Sequence, residues 1–432
     1  MEFKKPRGTR DFLFDEMRER KETENILRKV FENYAYQEIK TPLFEDLSLF
    51  TTKSGEQIVD QLYNFKDKSD REIALRPEIT APVVRLYTNE LQKTAKPIKL
   101  YYFGSCFRYE RPQKGRFRQF WQFGCELIGA KSPEGEAEVI AMAEQSLEDL
   151  GISTVEIHIN HLGIIRALFK HFNIDTEIQE QIILLIDKGD KKLFTKELTE
   201  NDIVDDSKLK DILIKLIDFV GNESVLNDID NLLKDYEETN ESIAEFKQLI
   251  DYLKSFNVSN YTINLGIARG LDYYTGIVFE IYVPELGAQK QVAGGGSYNL
   301  VELFGGEKIE STGFAFGFDR LMNVIEHDKT KNKEKNEDTS IVDVFIAPIS
   351  KDTREKSFEI GQILRNSNIS TEIDLSRKKF KKLLITANKL NAKYVILVGE
   401  DELEKDSVTI KNMASGDQEL VAIDDILDYI NL

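Results

Sequence analysis

Between Arg116 and Ile128 the chain reads RFRQFWQFGCELI, an alternation that suits only a strand. Phe117, Trp121, Phe123, Cys125 and Leu127 hold the odd positions, while Arg116, Arg118, Gln122 and Glu126 hold even ones. A period of two sends the two sets to opposite faces of a sheet. Just before it, SCFRYERPQKG at 105–115 sets Arg108 and Glu110 at one parity, then supplies Pro112 and Gly115 as turn residues. The expectation is an antiparallel hairpin with an apolar core face, an opposite face of Arg, Gln and Glu, and a basic loop. Five of the eleven residues from Arg108 to Arg118 are Lys or Arg. A wet sheet face needs no function, but it ordinarily mixes Lys, Glu, Thr and Ser. Concentrated arginine points to an anionic ligand, because the guanidinium fork matches phosphate and carboxylate.

The rest of the chain is acidic, 58 Lys+Arg against 76 Asp+Glu, for a formal charge of −18. That balance argues against indiscriminate nucleic-acid binding, a sequence-blind Coulomb effect, but leaves room for local patches. RKKFKK at 377–382 is such a patch, with five basic residues in six; a solvated helix face is the plainer reading of it. The longest aliphatic run, IILLI at 182–186, is far short of the roughly 20 residues of a membrane span. The start, MEFKKPRGTRDF, has no apolar segment of a secretory signal. Cys106 and Cys125 are the only cysteines, which suits a reducing, cytoplasmic setting without a disulfide framework. With no histidine beside them they make a poor zinc site, and small buried residues are the expected role.

At 432 residues two or three domains are expected. Residues 1–160 mix helices and strands, and 161–258 carry helical patterns with few strand signals. Gly-rich strand chemistry then resumes at 259–327, as though a helical module interrupted one sheet. Residues 328–340 form a charged linker. In 341–432, VDVFIAPI, STEID and YVILVGE alternate with helices at about 352–367 and 377–391, a β-α-β-α-β order and hence a small α/β domain.

FRYERPQKGRFRQFWQFGCE resembles motif 2 of the class II aminoacyl-tRNA synthetases, in the form used by histidyl-tRNA synthetases. PRGTRDF at 6–12 resembles that family's start, and TPLFEDLSLF at 41–50 its motif 1, with Pro42 as the motif proline. LRPEITAPVVR at 75–85 is similar to its amino-acid loop, and ARGLDYYTGIVFE at 268–280 to its histidine signature. AGGGSYNLVELFGG and STGFAFGFDRLM resemble its Gly-rich strand and motif 3. The resemblance spans nearly the whole chain. It implies an α/β architecture: an α+β catalytic domain on a class II synthetase-like antiparallel sheet flanked by helices, a helical insertion, and a C-terminal anticodon-binding α/β domain.

Its implied activity is ATP-dependent formation of histidyl-adenylate and transfer of histidine to tRNA(His). Arg108 and Arg269 would act as catalytic cations on the α-phosphate, Arg108 and Glu110 binding ATP together with Arg320. Glu78, Thr80 and Gln122 would face the α-amino group of histidine, with Glu126 and Tyr274 holding the imidazole and Tyr273 lining the site. Gln113, Lys114, Arg116 and Arg118 would meet the tRNA acceptor end, and the 377–382 run could touch the anticodon stem. Gly294, Gly295 and Gly296 would let backbone approach the ligand. Mg²⁺ is expected only with ATP, with no dedicated protein cage, and no catalytic role falls to His158, His161, His171 or His327. A homodimer is implied through motif 1. Ser297 and Asn299 stand where many members carry Arg and Asp, and Asp319 where Glu is common. Two readings compete. A non-catalytic paralogue, the histidine-binding regulatory subunit of ATP phosphoribosyltransferase, typically lacks the C-terminal domain and the catalytic signatures. A class II synthetase for another amino acid is disfavoured by RGLDYY.

Overall fold

The computed structural model describes residues 2–430, apart from 55, 110–116, 201–202, 205, 269–272, 286–289 and 332–341. At 53–54, 56–58 and 328–331 it describes backbone alone. The chain divides into two units, Met1–Asp328 and Lys329–Leu432.

Strands of the first unit are β1 (Gln37–Glu38), β2 (Phe44–Asp46), β3 (Tyr63–Lys66), β4 (Glu72–Leu75), β5 (Ile98–Phe107) and β6 (Gln119–Ile128). They continue as β7 (Glu156–His161), β8 (Val220–Gly221), β9 (Tyr261–Asn264), β10 (Tyr274–Tyr282), β11 (Gln291–Tyr298) and β12 (Ser311–Gly317). Nine of them make one sheet, ordered β1-β5-β6-β12-β11-β10-β7-β9-β8, with β2-β4-β3 as a small second sheet. The large sheet is antiparallel except for the β1–β5 and β7–β9 pairs. The expected hairpin is β5–β6, in a register that sets Cys106 opposite Phe120 and Leu100 opposite Glu126.

One face of this sheet is apolar and covered by helices. Helix Phe14–Asn33 buries Leu27, Val30 and Phe31, the i, i+3, i+4 stripe of an amphipathic helix. Phe31 packs edge-on to Phe123 at 4.9 Å and lies 5.7 Å from Phe314. Parity therefore places the odd residues of β6 on the helix side and leaves Gln122 and Glu126 on the other.

Among the described residues six α-helices lie between β7 and β9: Leu162–His171, Thr176–Asp187, Lys191–Thr199, Ser207–Leu216, Ser224–Leu233 and Asn240–Ser255. Asp190 and Asp206 cap two of them, each accepting two backbone N–H bonds from the first turn. Their apolar faces join the same buried cluster as the sheet. The two-residue strand β8, too short to show any periodicity, arises among them, pairs with β9 and forms the edge of the sheet.

Helix Phe318–Lys331 continues past 328 into the stretch read as linker; charged residues low in hydrophobicity are still good helix formers. The remaining linker positions, 332–340, lie outside the described residues.

The second unit holds β13 (Val344–Pro348), β14 (Thr371–Ile373), β15 (Tyr394–Val398), β16 (Ser407–Asn412) and β17 (Gln418–Ala422), ordered β14-β13-β15-β16-β17. The first three are parallel, and β16 and β17 add an antiparallel edge that the β-α-β-α-β reading did not contain. Val344 and Ile346 pack with Ile360 and Leu364 of helix Arg354–Asn366. Phe345 and Ala347 pack on the other face with Leu383 and Ala387 of helix Phe380–Lys389.

Candidate active site

The face of the large sheet turned away from Phe31 has a floor almost without side chains. Opposite Gln122, Gly124 and Glu126 of β6, strand β12 places Gly317, Ala315 and Gly313. Across from those, β11 contributes Gly294 beside Ala315 and Gly296 beside Gly313. Backbone can approach a ligand closely over such a surface. A cavity of about 300 Å³ opens on it, lined among others by Arg108, Phe120, Gln122, Gly294, Asp319 and Arg320.

Glu126 sits at one end of this face, 1% exposed. Tyr102 donates its hydroxyl to one carboxyl oxygen at 3.1 Å, and Tyr298 donates to the other at 2.7 Å. The Thr80 hydroxyl also bonds to the carboxyl. Gly313 is required directly opposite, because a Cβ there would collide with the Glu126 carboxylate. Burial, with the Glu78 charge nearby, pushes the Glu126 carboxyl up to about 8, against the pull of the three hydroxyls. Tyr273 and Tyr274 pack together with ring centroids 4.9 Å apart, and Tyr273 meets Tyr298 edge-on at 5.9 Å. Arg166, from the first of the six helices, donates to the Tyr274 carbonyl at 2.8 Å.

Glu78 accepts the backbone N–H groups of Thr80 at 2.6 Å and Ala81 at 3.0 Å, capping helix Thr80–Leu86. Burial raises its pKa; those amides and the Arg108 charge oppose the rise. Arg108 donates through Nε to the Pro77 carbonyl at 2.9 Å, and its guanidinium stands 5.2 Å from the Phe120 ring. Beside it, Cys106 donates its thiol to Gln122 Oε1 at 3.2 Å. Burial pushes this thiol up to about 12, so it stays protonated and able to donate.

At the other end Asp319, 3% exposed, accepts from Arg10 Nη2 at 2.6 Å, Arg20 Nη1 at 2.9 Å and the Trp121 backbone N–H at 2.9 Å. This carboxylate ties helix Phe318–Lys331 to β6 and to the N-terminal segment. Its neighbour Arg320 donates to the Gln291 carbonyl at 2.5 Å at the cavity wall.

The structure thus brings Arg108, Gln122 and Arg320 to one cavity and sets Thr80 on the Glu126 carboxyl, with Tyr273 against its partner Tyr298 and Tyr274 against Tyr273. Glu78 stands between Arg108 and Thr80. Arg118 lies at the neck of the hairpin, its backbone carbonyl accepting from Arg108 N–H at 3.0 Å. Arg269, Glu110, Gln113, Lys114 and Arg116 lie outside the described residues. Sequence reasoning missed Tyr102 and Tyr298, the two hydroxyl donors, and gave Asp319, Arg10 and Arg20 no shared role. It took Cys106 for a small packing residue, whereas the thiol holds an amide of the site. It also passed over Arg76, 3% exposed, which donates to Ser105, Thr41 and Pro42 and joins β5 to the motif 1 stretch. Parity alone pointed to Tyr102, which shares a face with Cys106; the others required the register between distant strands.

Residues 8–321 match the family described as histidyl-tRNA synthetase, and residues 343–431 match the anticodon binding domain family. The histidine–tRNA ligase of Methanocaldococcus jannaschii is 46% identical over 430 residues, covering 99% of each chain. The crystal structure of apo Staphylococcus aureus histidyl-tRNA synthetase superposes with a TM-score of 0.76 at 30% identity, covering 100% of both chains. A Bacillus halodurans protein described as an ATP phosphoribosyltransferase regulatory subunit/histidyl-tRNA synthetase shares the fold at TM-score 0.77 and 23% identity, covering 92% of this chain and 98% of its own.

Proposed function

This chain belongs to the histidyl-tRNA synthetase family, and on that premise we propose that it activates L-histidine with ATP and esterifies tRNA(His), with Glu126 at the centre of amino-acid recognition. The observation that carries the reading is the Glu126 carboxyl, buried among hydroxyls and facing a glycine floor. An imidazole offers an N–H to such a carboxylate, and an amino acid lacking that group leaves buried polar atoms unpaired. Tyr274 and Tyr273 complete the imidazole end; Glu78, Thr80 and Gln122 take the α-amino group.

Adenylation joins a histidine carboxylate oxygen to the α-phosphorus of ATP and releases diphosphate. A tRNA terminal hydroxyl then attacks the activated carbonyl and releases AMP. Arg108, held by the Pro77 carbonyl and the Phe120 ring, is placed to neutralise charge growing on the α-phosphate oxygens. Arg269 is its proposed counterpart from the other side, and Arg320 with Glu110 binds ATP, which enters as its Mg²⁺ complex. Gln113, Lys114, Arg116 and Arg118 meet the acceptor end of the tRNA. The unit formed by 341–432 binds the anticodon region, while 1–160 with 259–327 carries the chemistry and 161–258 is the insertion. Homodimer formation through the motif 1 stretch is supported by the exposed Leu43 and Phe44. Among the described residues no helix is long and apolar enough to cross a membrane, and the proposed location is the cytoplasm.

Histidine-dependent exchange between diphosphate and ATP, followed by charging of tRNA(His), tests the reading. Both activities are expected. The regulatory subunit shares the fold and would show neither, so their absence would overturn the assignment.

A further inference from the structure

The N-terminal segment 6–12 lies across the neck of the β5–β6 hairpin. Gly8 offers its carbonyl to the backbone N–H of Arg118 at 2.9 Å and of Gln119 at 3.3 Å, like a short added strand. Two residues on, Arg10 reaches Asp319 at 2.6 Å, with its guanidinium 3.8 Å from the Phe117 ring. Phe12 closes edge-on against Trp121 at 5.2 Å. The segment is therefore tied down at and just beyond the residue that contacts Arg118.

Arg118 is enclosed between two surfaces. Its stem lies on the bare Cα of Gly8, where a Cβ would stand 2.7 Å from Cγ, 2.9 Å from Cβ and 3.0 Å from Cδ. Gly8 also has φ +84°, in the left-handed region that favours glycine. On the other side the Arg118 guanidinium carbon lies 4.1 Å from the Tyr109 ring centre, a cation–π stack. Tyr109 is itself fixed by its N–H to the Gln61 carbonyl at 2.8 Å and by an edge contact with Tyr63 at 5.3 Å. Arginine ordinarily loses much rotamer freedom when it grips a phosphate. Here one rotamer is selected in advance, so less is lost on binding.

We propose that Gly8 and Tyr109 are positioning residues of the transfer step, which set the Arg118 guanidinium for a phosphate of the tRNA acceptor end. The inference rests on the tRNA-binding role given to Arg118 above. It assigns the conformational demand at Gly8 to the second half-reaction.

The test uses the full-length enzyme and a tRNA(His) transcript, measuring single-turnover transfer from preformed histidyl-adenylate. Gly8→Ala and Tyr109→Leu are expected to lower the ratio of transfer rate to diphosphate exchange about ten-fold, the scale of a small misplacement of a contacting group. Each is also expected to shrink the salt slope of the tRNA KM by about 0.7, one lost single-strand phosphate contact. In an Arg118→Ala background neither should have a further effect. Tyr109→Leu leaves the Gly8 backbone untouched, so it answers even where Gly8→Ala disturbs folding. If Arg118→Ala lowers transfer but the other two act independently of it, or not at all, the positioning role is wrong and the tRNA-binding role stands. If Arg118→Ala leaves transfer and the salt slope unchanged, the tRNA-binding role fails, and the inference with it.

Discussion

Glu126 and Asp319 are both buried carboxyls on one ligand face, 1% and 3% exposed, and they keep opposite company. Asp319 is matched by two guanidinium groups and a backbone amide. Among the described residues Glu126 is held by hydroxyls alone, with a second carboxyl near it and its pKa pushed up to about 8. Charge-matched partners make a buried acid a structural fastener; removing one partner strands the others. Neutral partners leave the acid under-stabilised as an anion, so a ligand that brings an N–H or a positive charge finds a group still in want of one. Under-compensation thus marks the residue proposed to bind, and full compensation the one that holds the site together.

The largest expected effect separates the two on stability. Asp319→Asn should cost about 3 kcal/mol of unfolding free energy, because Arg20, 6% exposed, keeps its charge and loses its anion. Glu126→Gln should not lower denaturant-measured stability at neutral pH and should raise it, because Gln carries no proton that folding must hold in place. Equal losses in the two variants would dissolve the distinction. The next effect is on binding: Glu126→Gln should lower kcat/KM for histidine about 100-fold, the weight of hydrogen bonding to a charged acceptor. A variant that used histidine normally would remove Glu126 from recognition. The smallest effect is on pH dependence. Glu126 titrates at about 8 folded against an ordinary 4.5, so within that window the folded protein holds a proton the unfolded chain releases. Its contribution therefore makes stability fall as pH rises through the window. Thermal unfolding from pH 5 to 8 should show a flatter slope in Glu126→Gln than in the parent. Glu78, Glu136 and Glu144, shifted the same way by burial, add to the slope that remains, and His158, lowered by burial, works against it.

What the sequence made legible follows from how far apart the determining residues lie. The β5–β6 hairpin was readable because alternation is local, and the helices of 161–258 because their stripes are. The mixed α/β class followed from those patterns and from motif order. The hydroxyl cage of Glu126 was not readable. Tyr102 is 24 residues away and Tyr298 is 172, and only strand register joins them. Asp319 reads in sequence only as an aspartate where Glu is common, since nothing near it reveals Arg10 or Arg20. The fastening and tuning groups were invisible for one physical reason: a hydrogen bond leaves no periodic trace.

Arg166 and strand β8 have a consequence for how such a chain could be remodelled. Both come from the interrupting segment, yet one steadies the Tyr274 carbonyl and the other completes the margin of the sheet. Excising 162–258 would therefore bare a strand of hydrogen-bonding groups to neighbouring molecules and loosen the end of the site proposed for the imidazole in the same stroke. The segment behaves less as a detachable accessory than as a shared wall of the catalytic unit.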